Sequence, residues 1–142
     1  MGAGCLFFNE QGQVLLVKPT YKSSWEVPGG VTEARESPKQ CCQREVYEEL
    51  GLNRSVGRLL VVDYNSEKGS KTESLMFLFY GGVLTLPEIE AISLNHEELS
   101  EFRFFSAETL PIDMQGSLRN RVLAAWQQVE KGNGIYLENQ EL

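Results

Sequence analysis

No apolar run in this sequence approaches the ~20 residues that a bilayer-spanning helix needs, which excludes such a span within these residues. Cysteine is scarce: Cys5, Cys41 and Cys42 make neither an even disulfide framework nor a CxxC pair. They read as small buried apolar residues of a reducing compartment, so a cytoplasmic location is expected. Basic residues are outnumbered, 13 Lys and Arg against 20 Asp and Glu, for a net charge of −7. Without clustered Lys and Arg, duplex nucleic acid and anionic membrane surfaces are excluded as expected partners. An anionic small molecule is not, because a bound divalent cation reverses the local sign. There is no repeat, low-complexity tract or linker. The opening MGAGCLFFNEQGQ lacks the basic and apolar regions of a signal peptide, and Leu6 stands where myristoylation wants Ser or Thr. Asn53-Arg54-Ser55 matches a glycosylation pattern that carries no weight without a secretory signal. The abrupt apolar start leaves open whether the natural N-terminus is longer.

The chain does have apolar content, 42% over 142 residues, enough for one compact domain covering 1–142. Residues 3–8 and 13–18 read as short strands around the turn Asn9-Glu10-Gln11-Gly12, followed by a loop, PTYKSSWEVPGG. Ser37, Pro38 and Gln40 form a capping-box start, and Gly51 supplies a stop, so a helix is predicted over about 38–50. Strands are predicted at 56–64, 74–84 and 101–105, with SEKGSKTE as a polar turn. Residues 117–131 form an amphipathic helix with Val122, Leu123, Trp126 and Val129 inward. The tail GNGIYLENQEL reads as a loop with a short extension. The order predicts a mixed α/β domain.

The first helix carries an anomaly. At ~100° per residue, Glu45, Glu48 and Glu49 share a ~100° sector in its last turns. The i,i+3 and i,i+4 like-charge pairs each cost a few tenths of a kcal/mol, and all three side chains face the negative end of the helix dipole. Arg44 is the one obvious local counter-charge. A hard divalent cation against that face removes the penalty, since Mg²⁺ and Mn²⁺ take carboxylate, carbonyl and water oxygens. The alternative is a solvated acidic face.

From Gly30 the chain reads Gly, five residues, Glu36, seven residues, Arg44-Glu45-Val46, one residue, Glu48-Glu49, one residue, Gly51-Leu52. This resembles the signature of the Nudix (MutT-related) hydrolases, GX5EX7REUXEEXGU with U a bulky aliphatic. Trp25-Glu26-Val27-Pro28-Gly29 is similar to the family's lead-in. The resemblance implies an α/β/α sandwich with a mixed β-sheet between helices. It also implies divalent-metal-dependent hydrolysis of a nucleoside diphosphate linked to another moiety, with Mg²⁺ or Mn²⁺ as cofactor.

By the same resemblance, Glu45, Glu48, Glu49 and the Gly29 carbonyl are the expected metal ligands, and Arg44 orients a carboxylate. Glu36, Gly30 and Gly51 are expected to be supporting residues. A distant loop often supplies a further acid: Glu97 is the first candidate for the general base and Glu98 the second, with a box glutamate as the alternative. His96, the single histidine, is a weaker candidate for a proton relay. Trp25, Tyr21, Lys22, Arg58 and Tyr64 are candidate substrate-lining residues. Substrate identity lies outside the box. The region NSEKGSK lacks the proline common in ADP-ribose hydrolases, and Tyr64 is early for the tyrosine of dinucleoside polyphosphate hydrolases. Nucleotide-sugar or ADP-ribose type compounds rank ahead of oxidised nucleoside triphosphates, the alternative substrate of a sanitising pyrophosphatase. Rivals of another kind are a non-catalytic nucleotide-binding module, an isoprenoid diphosphate isomerase on the same fold, and an accidental match. A homodimer is left open.

Overall fold

The computed structural model describes residues 1–142. Alternating side chains on β1 (Gly2–Phe8) and β2 (Val14–Pro19) divide two apolar layers. Ala3, Cys5, Phe7, Leu15 and Val17 pack with Cys41, Cys42, Val46 and Leu50 of α1 (Pro38–Leu50). On the opposite face Leu6, Phe8, Val14 and Leu16 pack with Val122 and Ala125 of α3 (Gly116–Lys131). A sheet between helices results, as the resemblance implied.

The sheet runs β6-β2-β1-β5-β4-β7, with β4 at Leu59–Asn65, β5 at Ser74–Val83, β6 at Leu99–Phe105 and β7 at Ile135–Glu138. It is mixed: β1 runs parallel to β5 and β7 parallel to β4, while the β1–β2, β2–β6 and β4–β5 pairs are antiparallel. The β1–β2 ladder is confined to Phe8 opposite Val14. Beyond that point the predicted loop fills the gap between them. Glu26 bridges to Val17, the Cys5 N–H donates to the Pro28 carbonyl at 2.9 Å, and β3 (Gly29–Val31) pairs with Gly2 to Gly4. Local turn signals at Pro28-Gly29-Gly30 hid a strand that only its partner could create.

α1 has the predicted limits. Ser37 accepts from the Gln40 N–H, the Gln40 side chain returns the bond, and Gly51 ends the helix in the left-handed region at φ 70°. Two further elements depart from expectation. α2 (Leu86–Glu90) starts at a Thr85/Glu88 capping box that the sequence displays in the form T-x-x-E. The tail supplies β7, whose parallel pairing with β4 is a distant contact. The predicted inner residues of α3, Val122, Leu123, Trp126 and Val129, all pack on the core, but burial is deepest slightly to one side of that face. Arg121, Val122, Ala125 and Gln128 are its buried residues, small Ala125 allowing close approach, while Trp126 meets Phe8 edge-on at 5.3 Å.

Beside β7 sits a buried ion pair. Asp63 Oδ2 accepts from Arg121 Nε at 2.8 Å and from Gln140 Nε2 at 3.0 Å, and its Oδ1 accepts from the Gln140 N–H at 3.0 Å. Asp63 is fully buried and Arg121 nearly so. Removing one partner of such a pair leaves the other charge desolvated and alone. Asp63→Ala is expected to cost about 3–5 kcal/mol, read as a lowered urea midpoint. An unchanged midpoint would show the network contributes nothing.

Candidate active site

Glu45 and Glu49 of α1 open onto a cavity of about 640 Å³ where β1, β3 and β5 meet the start of α3, while Glu48 is exposed and not among its lining residues. Glycine makes this approach feasible. A Cβ on Gly29, at φ 154°, would lie 2.2 Å from the Ala3 carbonyl oxygen, and one on Gly30 would lie 2.6 Å from the Glu45 carboxyl carbon. Glu45 and Glu49 line the cavity beside these two residues.

Glu49 is 7% exposed, and Oε1 accepts the Gly29 N–H at 2.8 Å. Burial pushes its carboxyl up to about 8, opposed by that bond and assisted by the charges of Glu45, Glu98 and Glu26. Burial also raises Glu45, against the pull of Arg44. Arg44 is the hub of the remaining acids. Its Nε and Nη2 grip both Glu36 oxygens at 2.7 and 3.0 Å, and Nη1 donates to Glu45 at 2.7 Å and Glu48 at 3.3 Å. That fork, with the Glu33 N–H, holds the Glu36 carboxyl down at about 2. In return the carboxylates raise the already high Arg44.

Arranged in this way, no three His, Cys, Asp or Glu side chains converge as a ready metal cage. Arg44 draws Glu45 and Glu48 aside, and Gly29 takes Glu49. The donor set nevertheless suits a hard divalent ion: all oxygen, partly desolvated, with a buried Glu49 that no Lys or Arg neutralises.

The loop acids are placed by α1 itself. The Ser93 and Asn95 N–H groups donate to the Leu50 and Glu49 carbonyls at 2.9 and 3.1 Å, so the segment after α2 caps the helix end. Glu98 lines the cavity; Glu97 does not, its carbonyl accepting from the Thr20 hydroxyl. The order of the two loop candidates is therefore reversed in space. His96 is exposed and off the cavity.

Of the lining candidates, Tyr21 stands at the cavity, 76% exposed. Lys22 pairs with Glu26, itself a lining residue that sequence reasoning passed over. Three candidates lie elsewhere. Trp25 is buried edge-on against Phe105 at 5.2 Å, so it packs beneath the loop. Arg58 crosses to α3, where Nη2 donates to the Gln128 and Val129 carbonyls exposed at the helix end. The Tyr64 hydroxyl donates to Glu73 in the β4–β5 hairpin. Arg121, Met76, Gln115 and Ser117 also line the cavity; they are far apart in sequence, and no motif marks them.

Fold and site together define an α/β/α sandwich that gathers carboxylates from one helix end, and one acid from a remote loop, at a cavity in a splayed sheet. A family model described as NUDIX domain matches residues 1–127, and the chain belongs to that family. Members generally use divalent metal ions. The chain is 40% identical over 90 residues to diphosphoinositol polyphosphate phosphohydrolase 2 of Rattus norvegicus, covering 61% of this chain and 46% of that protein. It thus spans about half the length of the curated relatives it matches. A UDP-X diphosphatase structure superposes with a TM-score of 0.79 at 24% identity, over 96% of this chain and 66% of that one. The MutT protein from Methanosarcina mazei Go1 gives 0.74 at 21%, over 93% and 94%.

The raised Glu49 carboxyl has a sign that can be tested. The folded state holds a proton there that the unfolded state has released above the ordinary carboxylate range near 4.5. This contribution is therefore full at acidic pH and is lost as pH rises from about 4.5 through about 8. In EDTA, Glu49→Gln is expected to flatten the fall in melting temperature across that window. A fall of equal slope in the variant would refute the assignment.

Proposed function

We propose that this chain is a divalent-metal-dependent pyrophosphohydrolase that cleaves the phosphoanhydride of a nucleoside diphosphate linked to another moiety. The observation that carries the reading is the buried Glu49 carboxylate, grouped with Glu45 and Glu98 against the Gly29–Gly30 wall of the cavity. Glu45, Glu48, Glu49 and the Gly29 carbonyl are the residues that would hold the metal. When bound, a divalent ion supplies charge neutralisation for the diphosphate and activation of water. Arg44 orients Glu45 and Glu48 through its fork. Glu98 stands where a base can take the proton as the water oxygen bonds to phosphorus and the bridging P–O bond breaks. The NUDIX unit is read as the whole of 1–142, working in the cytoplasm with Mg²⁺ or Mn²⁺.

The similarity to diphosphoinositol polyphosphate phosphohydrolase 2 supports a second substrate reading, a diphosphoinositol polyphosphate. The cavity argues against it. Arg121 is the one Lys or Arg side chain among its lining residues and is already paired with Asp63, whereas Glu26, Glu45, Glu49 and Glu98 are all present. A ring bearing many phosphates meets repulsion there.

A panel of nucleotide sugars, ADP-ribose, oxidised nucleoside triphosphates and diphosphoinositol phosphates, run with Mg²⁺, Mn²⁺ or EDTA, tests these readings. In ¹⁸O-water the label is expected on phosphate, and Glu45→Gln is expected to lower kcat about a thousandfold. Turnover in EDTA, or label on carbon, would contradict the mechanism. No turnover with the whole panel would favour a binding module.

Metal binding has a separate readout. At a hundredfold excess over Kd, Mg²⁺ is expected to stabilise the fold by about 2.7 kcal/mol. Glu48→Gln and Glu49→Gln should each diminish the melting shift. A shift unchanged in both variants would sink the ligand assignment.

A further inference from the structure

The cavity has a second end whose chemistry is opposite to that of the glutamates. Ser74, Met76 and Leu78 alternate onto it from β5, and Gly2 and Gly4 of β1 lower the floor opposite Met76 and Leu78. A Cβ on Gly2 would meet the Met76 methyl at 2.7 Å, and one on Gly4 would meet Val27 at 2.8 Å. The floor is therefore low and, apart from Ser74, apolar.

The wall above it carries groups that can only donate, beside the Gln115 and Ser117 side chains, which can donate or accept. Arg121, 6% exposed, lines the cavity. Its Nε is engaged by Asp63 at 2.8 Å and its Nη2 by Asn65 at 3.0 Å, leaving Nη1 with no protein acceptor. Nearly two turns earlier, α3 begins without a side-chain cap at Gln115. Its first intrahelical bond is from the Arg119 N–H to the Gln115 carbonyl, so the Gly116, Ser117 and Leu118 N–H groups find no acceptor in the protein. Gln115, Ser117 and Leu118 all line the cavity. The acceptors in reach of Arg121, on Asp63 and Asn65, are already occupied by it and by Gln140.

We propose that this end recognises the base of the nucleoside diphosphate, and that it selects bases presenting carbonyl oxygens, uracil or a 6-oxopurine, over adenine. The inference rests on the pyrophosphohydrolase reading and specifies its substrate class. The low, largely apolar floor leaves room for a planar heterocycle. Asp63 offsets the Arg121 charge, which removes the excess positive charge that a further phosphate would need. Arg121 Nη1 and the free α3 N–H groups can only donate, so they satisfy O4 of uracil or the O6 and N7 edge of a 6-oxopurine, whereas adenine presents its 6-amino donor at that edge and would leave the buried Arg121 Nη1 unpaired. Arg121, with Gln115 and Ser117 at the rim, is thus a specificity-determining residue.

Two measurements separate this proposal from the activity it refines. Hydrolysis of UDP-glucose, GDP-glucose and ADP-glucose varies the base at a constant sugar. The better of the first two is expected to exceed ADP-glucose in kcat/KM by about tenfold or more. Calorimetric titration of UMP, GMP and AMP in EDTA reads the base preference without turnover, and the same order is expected. Arg121→Lys keeps a cation for Asp63 but withdraws the guanidinium edge, and should bring the ratio close to one. Gln115→Ala and Ser117→Ala, at exposed positions, should each reduce it without lowering the melting temperature, which keeps the test valid should Arg121→Lys fail to fold. Equal kcat/KM for ADP-glucose, or tighter binding of AMP, would overturn the proposal while leaving the hydrolase reading intact. Selective binding of UMP or GMP with no hydrolysis of any sugar nucleotide would do the reverse.

Discussion

The site depends on how closely the backbone at Gly29 and Gly30 crosses β1 and α1. Each residue lies where a side chain would collide, Gly29 with the Ala3 carbonyl and Gly30 with the Glu45 carboxylate. Because neither carries one, β3 can insert between β1 and β2 and hold them apart. The opening receives the Glu49 carboxylate, and the Gly29 N–H gives it a partner in an environment that otherwise favours its neutral form. The arrangement accepts an electrostatic cost in the free protein that a bound cation would relieve.

The acidic helix end is also what recruits the remote loop. The last carbonyls of α1 need donors, and the segment beyond α2 supplies them from Ser93 and Asn95. Thr20 then ties the same segment to the end of β2, its N–H donating to the Glu98 carbonyl at 2.8 Å. Ordinary helix capping therefore carries Glu98 to the cavity that Glu45 and Glu49 share. Arg44 has the complementary task of gathering Glu36, Glu45 and Glu48 around one guanidinium.

The sheet separates two chemistries within one cavity. Carboxylates gather where α1 ends, and hydrogen-bond donors gather where α3 begins, with the apolar β5 residues between. The Asp63–Arg121 pair fixes the second end, and through Gln140 it also fastens the tail after β7. The same contacts that close the fold thus shape the wall that faces a ligand.

What the sequence by itself determined is local. Ser37, Pro38, Gln40 and Gly51 mark both ends of α1, because caps act over one turn, and the helical period places Glu45, Glu48 and Glu49 on one sector. The box motif pointed to the family for the same reason, since its residues lie on one turn and one helix. The T-x-x-E start of α2 was legible by the same rule and was passed over. Tertiary structure alone decided the rest. β3 and β7 exist through pairing with strands distant in sequence, and local turn signals cannot report that. It also brought Glu98 rather than Glu97 to the cavity, sent Arg58 to the end of α3, and set Arg121 beside Asp63 across a separation of 58 residues. These side chains are placed by long-range packing and by the need of buried polar groups for partners, and neither constraint leaves a periodic trace in the chain.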